Sequence, residues 1–196
     1  MSVADELPRL LLLTDRAQLH LGRGLLPTLA ECRDAGLTHV ILRELDEPPA
    51  QRAALAAAAT DLGLTIVAAR TPLPAAAGVH LASAAPAAAV PRTGLWGRSC
   101  HHRGEVTAAA AHGAAYATLS PYAATDSKPG YGPPLRAGDL AGHPIPVYAL
   151  GGITPANAAV ALAEGAYGVA VMGAVMRAAE PGEVVRALIT EIGAPV

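Results

Sequence analysis

Eight short apolar segments, set apart by turn residues and alanine-rich stretches, constrain this chain more than any other feature. They are Leu10–Leu13, His39–Leu42, Thr65–Ala68, Val79–Leu81, Leu95–Arg98, Tyr116–Leu119, Val147–Leu150 and Gly168–Val171. Most are apolar at odd and even positions alike, so neither face of the strand can be left in water, as in parallel sheets covered on both sides. Helical patterns fall between them, over Gly24–Asp34, Ala50–Leu62, Glu105–His112, Pro155–Glu164 and Gly182–Ile192. Gly36, Gly63, Gly113 and Gly165 each follow such a pattern and suit the left-handed residue that ends a helix. Eight strands alternating with helices in 196 residues predict an α/β fold, a short (β/α)8 TIM barrel forming a single domain over 1–196. A doubly wound sheet competes less well, because the first turn, Thr14-Asp15-Arg16, lacks the Gly-x-Gly-x-x-Gly of a dinucleotide site. The Ala/Pro-rich stretch Ala82–Val90 reads as a short helix or an irregular crossover, and Ser120–Leu135 as one long loop.

Composition narrows the setting. The hydrophobic fraction of 52% comes largely from alanine, with no phenylalanine and 3% aromatics, which suits small helices packed closely on a sheet. No apolar run nears the ~18 residues of a membrane span, and the N-terminus does not read as a signal peptide. A cytoplasmic protein without a membrane partner is expected. A net charge of −2 without a basic run or a DNA-reading element argues against nucleic acid. Cys32 and Cys100 are too few and too far apart for a zinc site and read as reduced core thiols. Of 14 lysines and arginines only Lys128 is a lysine.

The chemistry of such a barrel sits at the C-terminal ends of its strands. Those ends here carry Thr14 and Asp15, Arg43 and Glu44, Arg70, Ser99 to His102, the Thr125–Lys128 stretch, Gly151-Gly152 and Met172-Gly173. Gly151 and Gly152 let backbone amides approach an anion, and Thr154-Pro155 then opens a helix whose first N–H groups attract negative charge. With Met172 and Gly173 they form the expected phosphate cradle. His101 is the acid/base candidate, since imidazole titrates near neutrality. His102 would point to the other side, and His39 lies at the wrong end of its strand. Arg43 and Glu44 leave an apolar strand, so at least one must pair or face the cavity. Thr125, Ser127 and Lys128 suit substrate binding in a loop that closes over the site.

The ordered set Ile41-Leu42-Arg43-Glu44, Gly78-Val79-His80-Leu81, Gly97-Arg98-Ser99-Cys100-His101, Thr125 to Gly130, Ala149 to Ile153 and Gly168 to Met172 resembles the thiamine phosphate synthase/TenI superfamily. The resemblance covers Leu10 to about Glu183. It implies a barrel handling the thiazole phosphate half of thiamine, by one of two reactions. The synthase joins an aminopyrimidine diphosphate to thiazole phosphate with Mg²⁺ and releases diphosphate; the TenI-like tautomerase moves a proton to aromatise a thiazole carboxylate phosphate without metal.

The departures favour the second. Leu45 stands where the synthase pattern has lysine, Ala68-Ala69 where it has Asn-Asp, and Ala82 to Ala85 where it has an acidic residue. Gly97-Arg98-Ser99-Cys100-His101 matches the Gly-Arg-Ser-x-His of the tautomerase branch. The expectation is therefore a thiazole tautomerase, an isomerase with His101 catalytic, Arg43 on the carboxylate, no metal and no cofactor. A Mg²⁺-dependent synthase and a non-catalytic thiazole or thiamine phosphate-binding protein are the alternatives. A small-molecule thiazole phosphate is the expected partner, with a homodimer left open.

Overall fold

The computed structural model describes residues 7–20, 22–124, 133–136 and 138–193. Strands β1 (Leu10–Leu13), β2 (His39–Leu42), β3 (Thr65–Ala69), β4 (Gly78–Leu81), β5 (Leu95–Cys100), β6 (Tyr116–Leu119), β7 (Val147–Leu150) and β8 (Gly168–Val171) close into a barrel in chain order. All neighbours are parallel, and β8 completes the ring against β1 through Leu10–Val169 and Leu12–Val171. The expected barrel is thus present, with β3 and β5 running one and two residues further than the sequence pattern suggests.

The outer layer is sparse. It holds α1 (Leu25–Asp34), α2 (Pro49–Asp61), α3 (Arg103–Ala111), α4 (Pro155–Ala163), α5 (Gly173–Met176) and α6 (Pro181–Gly193). β3 passes to β4 without a helix, and the β4–β5 link holds only a 3-10 turn over Ala87–Ala89. The short α5 was not anticipated, because four residues carry too little periodicity to read. The four glycines expected to end helices, Gly36, Gly63, Gly113 and Gly165, all have positive φ.

Strand alternation sorts the side chains into two cores. Leu10, Leu12, Val40, Leu42, Ile66, Ala68 and Val79 face the helices. Leu11, Leu13, Ile41, Val67, Ala69, Tyr116, Tyr148 and Ala170 fill the barrel. Tyr116, Tyr148 and Tyr167 run in succession toward the N-terminal end, edge to face at 5.6 and 5.5 Å between centroids. Their column is tied off below: the Tyr148 hydroxyl donates to Pro8 O at 2.5 Å, Tyr167 to Leu7 O at 2.6 Å, and Arg9 lies over the Tyr167 ring. Tyr116 fits only because β5 carries Gly97 beside it; a Cβ there would overlap the phenol ring. The tyrosine column plugs the lower barrel and leaves the upper end open. Among the described residues no helix is long and apolar enough to cross a membrane.

Candidate functional site

A cavity of about 480 Å³ opens at the C-terminal ends of the strands. The same alternation that fills the barrel decides what lines it. Continuing β2 past Ile41 turns Arg43 inward and Glu44 outward. Arg43 lines the cavity, its backbone N–H donating to Thr14 Oγ1 at 3.0 Å and its guanidinium lying 2.8 Å from Met172 Sδ. Glu44 is 3% exposed and does not line it. Both its carboxylate oxygens accept from the Arg16 backbone N–H at 3.2 Å, so it pins the turn after β1. Strand parity thus keeps Glu44, expected as a substrate contact, out of this cavity and places it on a smaller recess it shares with Asp15 and Arg43.

The two glycine loops face the cavity from the side of β7 and β8. Gly151 and Gly152 have φ of 93° and 69°, and a Cβ on Gly152 would stand 2.6 Å from Ala124 O and 2.8 Å from Ala123 Cβ. Only glycine satisfies that backbone and that packing. Behind them Thr154 and Pro155 start α4 as expected, and the Thr154 N–H donates to Asn157 Oδ1 at 2.8 Å while Asn157 Nδ2 donates to Gly152 O at 2.9 Å. Asn157 thus locks the loop to the helix. Met172 and Gly173 stand opposite, and Arg177, one helical turn on, lays its guanidinium over Gly173, where a Cβ would run into it. Arg177 also donates to Gln18 Oε1 at 2.5 Å.

His101 lies at the cavity wall directly after β5. Its Nδ1 is 3.1 Å from Ser120 O and 3.3 Å from Ser120 Oγ, so Ser120 holds the ring from the end of β6. Its backbone N–H donates to Glu105 Oε2 at 2.5 Å. His102 faces away and accepts from the Glu105 N–H at 3.4 Å, capping α3. Thr125, Ser127 and Lys128 lie outside the described residues.

Four cavity residues have no role assigned from the sequence, although Arg70 and Ser99 stand among its strand-end residues. Arg70 follows β3 with φ of 67°, the single positive value among the described non-glycine residues, and lines the cavity beside Ala69. Such strain costs about 1–3 kcal/mol and collects at functional sites. The strand-end position was a usable signal, whereas the backbone conformation had none. Arg177 reaches Gly173 because the turn of α5 lies between them, and α5 is too short to read from the sequence. His80 and Ser99 are inward residues of β4 and β5, and recognising them needs the register. His80 is 5% exposed; burial, then the charge of Arg43, lowers its pKa to about 4, so it is neutral at pH 7. The buried thiols of Cys32 and Cys100 are pushed up to about 12, chiefly by desolvation, which makes them poor nucleophiles.

Synthases of the resembling superfamily use Mg²⁺, so the donor set matters. Of the two residues replacing Asn-Asp, Ala68 packs under the helices and Ala69 offers the cavity a methyl group. Asp15 lines the cavity, but its Oδ2 accepts from Gln18 Nε2 at 2.6 Å and its Oδ1 from the Ala17 N–H. Among the described residues no three His, Cys, Asp or Glu side chains group closely enough to hold a metal ion. These residues do not fit a divalent cation held by the protein alone.

Residues 10–175 match the family model TMP-TENI, described as thiamine monophosphate synthase. A Geobacter sulfurreducens protein named "Putative thiamine-phosphate synthase" is 40% identical over 197 residues, covering 92% of each chain. A Laribacter hongkongensis protein named thiamine-phosphate synthase is 40% identical over 98 residues, covering 48% of this chain and 46% of its own. The structure of a Pyrococcus furiosus thiamine phosphate pyrophosphorylase superposes with a TM-score of 0.80 at 22% identity, over 94% of this chain and 95% of that one. These names overturn the expected tautomerase and, with it, the isomerase class. The Gly-Arg-Ser-x-His match misled for a structural reason. Gly97 makes room for Tyr116, and Arg98 points out of the barrel to donate to Ser83 O and Ala85 O at 2.8 and 2.6 Å. Half of that motif therefore serves the fold and does not discriminate reactions. By family model and by full-length similarity, the chain belongs to the TMP-TENI family, that of thiamine monophosphate synthase.

Proposed function

We propose that this protein is a thiamine-phosphate synthase, a transferase that joins an aminopyrimidine diphosphate to a thiazole phosphate. The observation that carries the reading is the 40% identity, over 92% of both chains, to a relative bearing that name. In the reaction the bond from the pyrimidine methylene carbon to the diphosphate oxygen breaks, and its electron pair leaves with the diphosphate. A bond then forms between that carbon and the thiazole.

The charge pattern of the cavity supports this assignment. Two anionic groups must be held apart, a phosphate ester and a departing diphosphate. At one wall Gly152, the start of α4 and Arg177 over Gly173 suit the ester. At the other, Arg43 and Arg70 end the adjacent strands β2 and β3 and suit the diphosphate, since guanidinium groups bind phosphate oxygens in pairs. Arg43 matches the family pattern, and Arg70 adds a second positive charge next to Ala69, where that pattern has an acidic residue. The cavity volume, about 480 Å³, falls within the usual range for small-molecule sites.

The test is direct. The purified protein, given both substrates and Mg²⁺, should release diphosphate and form thiamine phosphate; absence of both products with active substrates would refute the assignment. Gly152→Ala should raise the KM for thiazole phosphate by about tenfold, the equivalent of ~1.4 kcal/mol of binding, and leave the KM for the diphosphate substrate nearly unchanged.

A further inference from the structure

The turn that carries Arg70 is gripped by a buried arginine from the helix layer. Ala69 O accepts from the Thr71 N–H at 2.8 Å, which with φ of 67° at Arg70 closes a γ-turn of the rare, strained hand. The Arg70 N–H donates to His80 O at 2.8 Å, so the turn also hangs on β4. Arg52, in the first turn of α2, sets its two terminal nitrogens on the residues either side of Arg70. Its Nη2 donates to Ala69 O at 2.9 Å and its Nη1 to Thr71 Oγ1 at 3.0 Å. Arg52 is 6% exposed, and among the described residues its Nε has no hydrogen-bond partner and its guanidinium no carboxylate.

Packing alone would select neither feature. A buried guanidinium without a carboxylate is costly to take out of water. A strained turn persists only where its surroundings over-determine it, and such strain collects at functional sites. What this turn displays is the Arg70 side chain, which lines the cavity and, among the described residues, has no hydrogen-bond or ion-pair partner of its own. A long side chain held by nothing at its tip is placed only by the backbone from which it starts. Ala69 beside it offers the cavity a methyl group, so no acid on that strand end draws the guanidinium away. The planar fork of Arg52 suits the task of fixing that backbone, since it engages two acceptors at a set spacing, which a lysine cannot do.

We infer that Arg52 is a positioning residue for the diphosphate end of the site: it fixes the γ-turn so that Arg70 is presented to an oxygen of that group. Without the fork, Arg70 relaxes to an ordinary negative φ, and its side chain leaves the chain in another direction. Arg52 does not line the cavity, so it acts through Arg70 and not by touching the ligand. The placing of diphosphate at this wall rests on the proposed synthase reading.

Titration calorimetry with magnesium diphosphate as the probe tests this role apart from turnover. Arg70→Ala and Arg52→Met should each weaken binding about fivefold to tenfold, while the affinity for thiazole phosphate stays within about twofold of wild type. In the Arg70→Ala background, Arg52→Met should cost nothing more, because its effect passes through Arg70. Arg52→Lys keeps the charge and loses the fork, so it should bind diphosphate as weakly as Arg52→Met. Wild-type affinity in the lysine variant, losses that multiply in the double variant, or equal weakening of both ligands would each overturn the positioning role. Should Arg52→Met not fold, Thr71→Val removes one acceptor of the fork. It should weaken diphosphate about twofold to threefold and spare thiazole phosphate, and unchanged binding would overturn the role. A wild-type protein that does not bind magnesium diphosphate overturns the inference outright. A protein that shows the expected pattern but forms no thiamine phosphate would sink the synthase reading and leave the role of Arg52 standing.

Discussion

His80 pays for its place with acid sensitivity. Its ordinary pKa of 6.5 falls to about 4 in the fold, because burial and the nearby Arg43 charge both disfavour the imidazolium. Below about pH 6.5 the unfolded chain gains a proton that the folded chain refuses until about pH 4. The contribution is fully present above the unfolded value and is lost as pH falls through this window, on the order of 3 kcal/mol in all. Urea denaturation at pH 7 and at pH 4.5 should show a stability loss that His80→Gln reduces; an equal loss in both proteins would show that other groups carry the acid sensitivity. Little of this was legible beforehand. Along the chain His80 is one residue of Gly78-Val79-His80-Leu81 with no visible role, because its partners Ser99 and Tyr116 come from two other strands.

The link between β4 and β5 depends on a side chain from outside itself. It read as a short helix or an irregular crossover, and the fold gives it one 3-10 turn held by Arg98, whose Nη2 donates to Ser83 O and Ala85 O. Arg98 sits on the outward side of β5, so the anchor is part of the strand and not of the loop. Arg98→Ala leaves two carbonyls short of a charged donor, at a cost of about 1–3 kcal/mol. Amide exchange should then speed up over residues 82–90 well before it does in β5 or β6; uniform acceleration across the barrel would show that the link has no separate stability. The β2 end gives the complementary lesson. Arg43 and Glu44 were nominated together, and only the inward setting of Ile41 decides that Arg43 reaches the cavity while Glu44 ties down the β1 turn.

Across the whole molecule, large inward rings are matched to missing side chains on the neighbouring strand. Tyr116 lies over Gly97, and the tyrosine column below it closes the barrel floor, so the cavity exists only above. The ring of strands has no edge at which such a misfit could relax. Gly97→Ala should therefore overpack the interior by about 1–3 kcal/mol and lower the Tm by roughly 2–4 °C for each kcal/mol. Calorimetry should show one cooperative transition moved down; an unchanged Tm would mean that the Tyr116 ring has room the packing does not reveal.

What the sequence determined by itself was the periodic part of the protein. The eight apolar segments, the glycines that end helices and Thr154-Pro155 at the start of α4 are local signals, each written within a few residues, and they led to the barrel and its glycine loops. The tertiary structure decided which side chains meet. Closure in register turned Arg43, His80, Ser99 and His101 inward, set Arg70 in a left-handed backbone beside Ala69, and sent Glu44 and Arg98 outward. The choice between reactions failed at the sequence level for the same reason. Gly97-Arg98-Ser99-Cys100-His101 is continuous along the chain, but strand alternation divides it between the barrel interior and the helix layer, so no single reaction can be read from it.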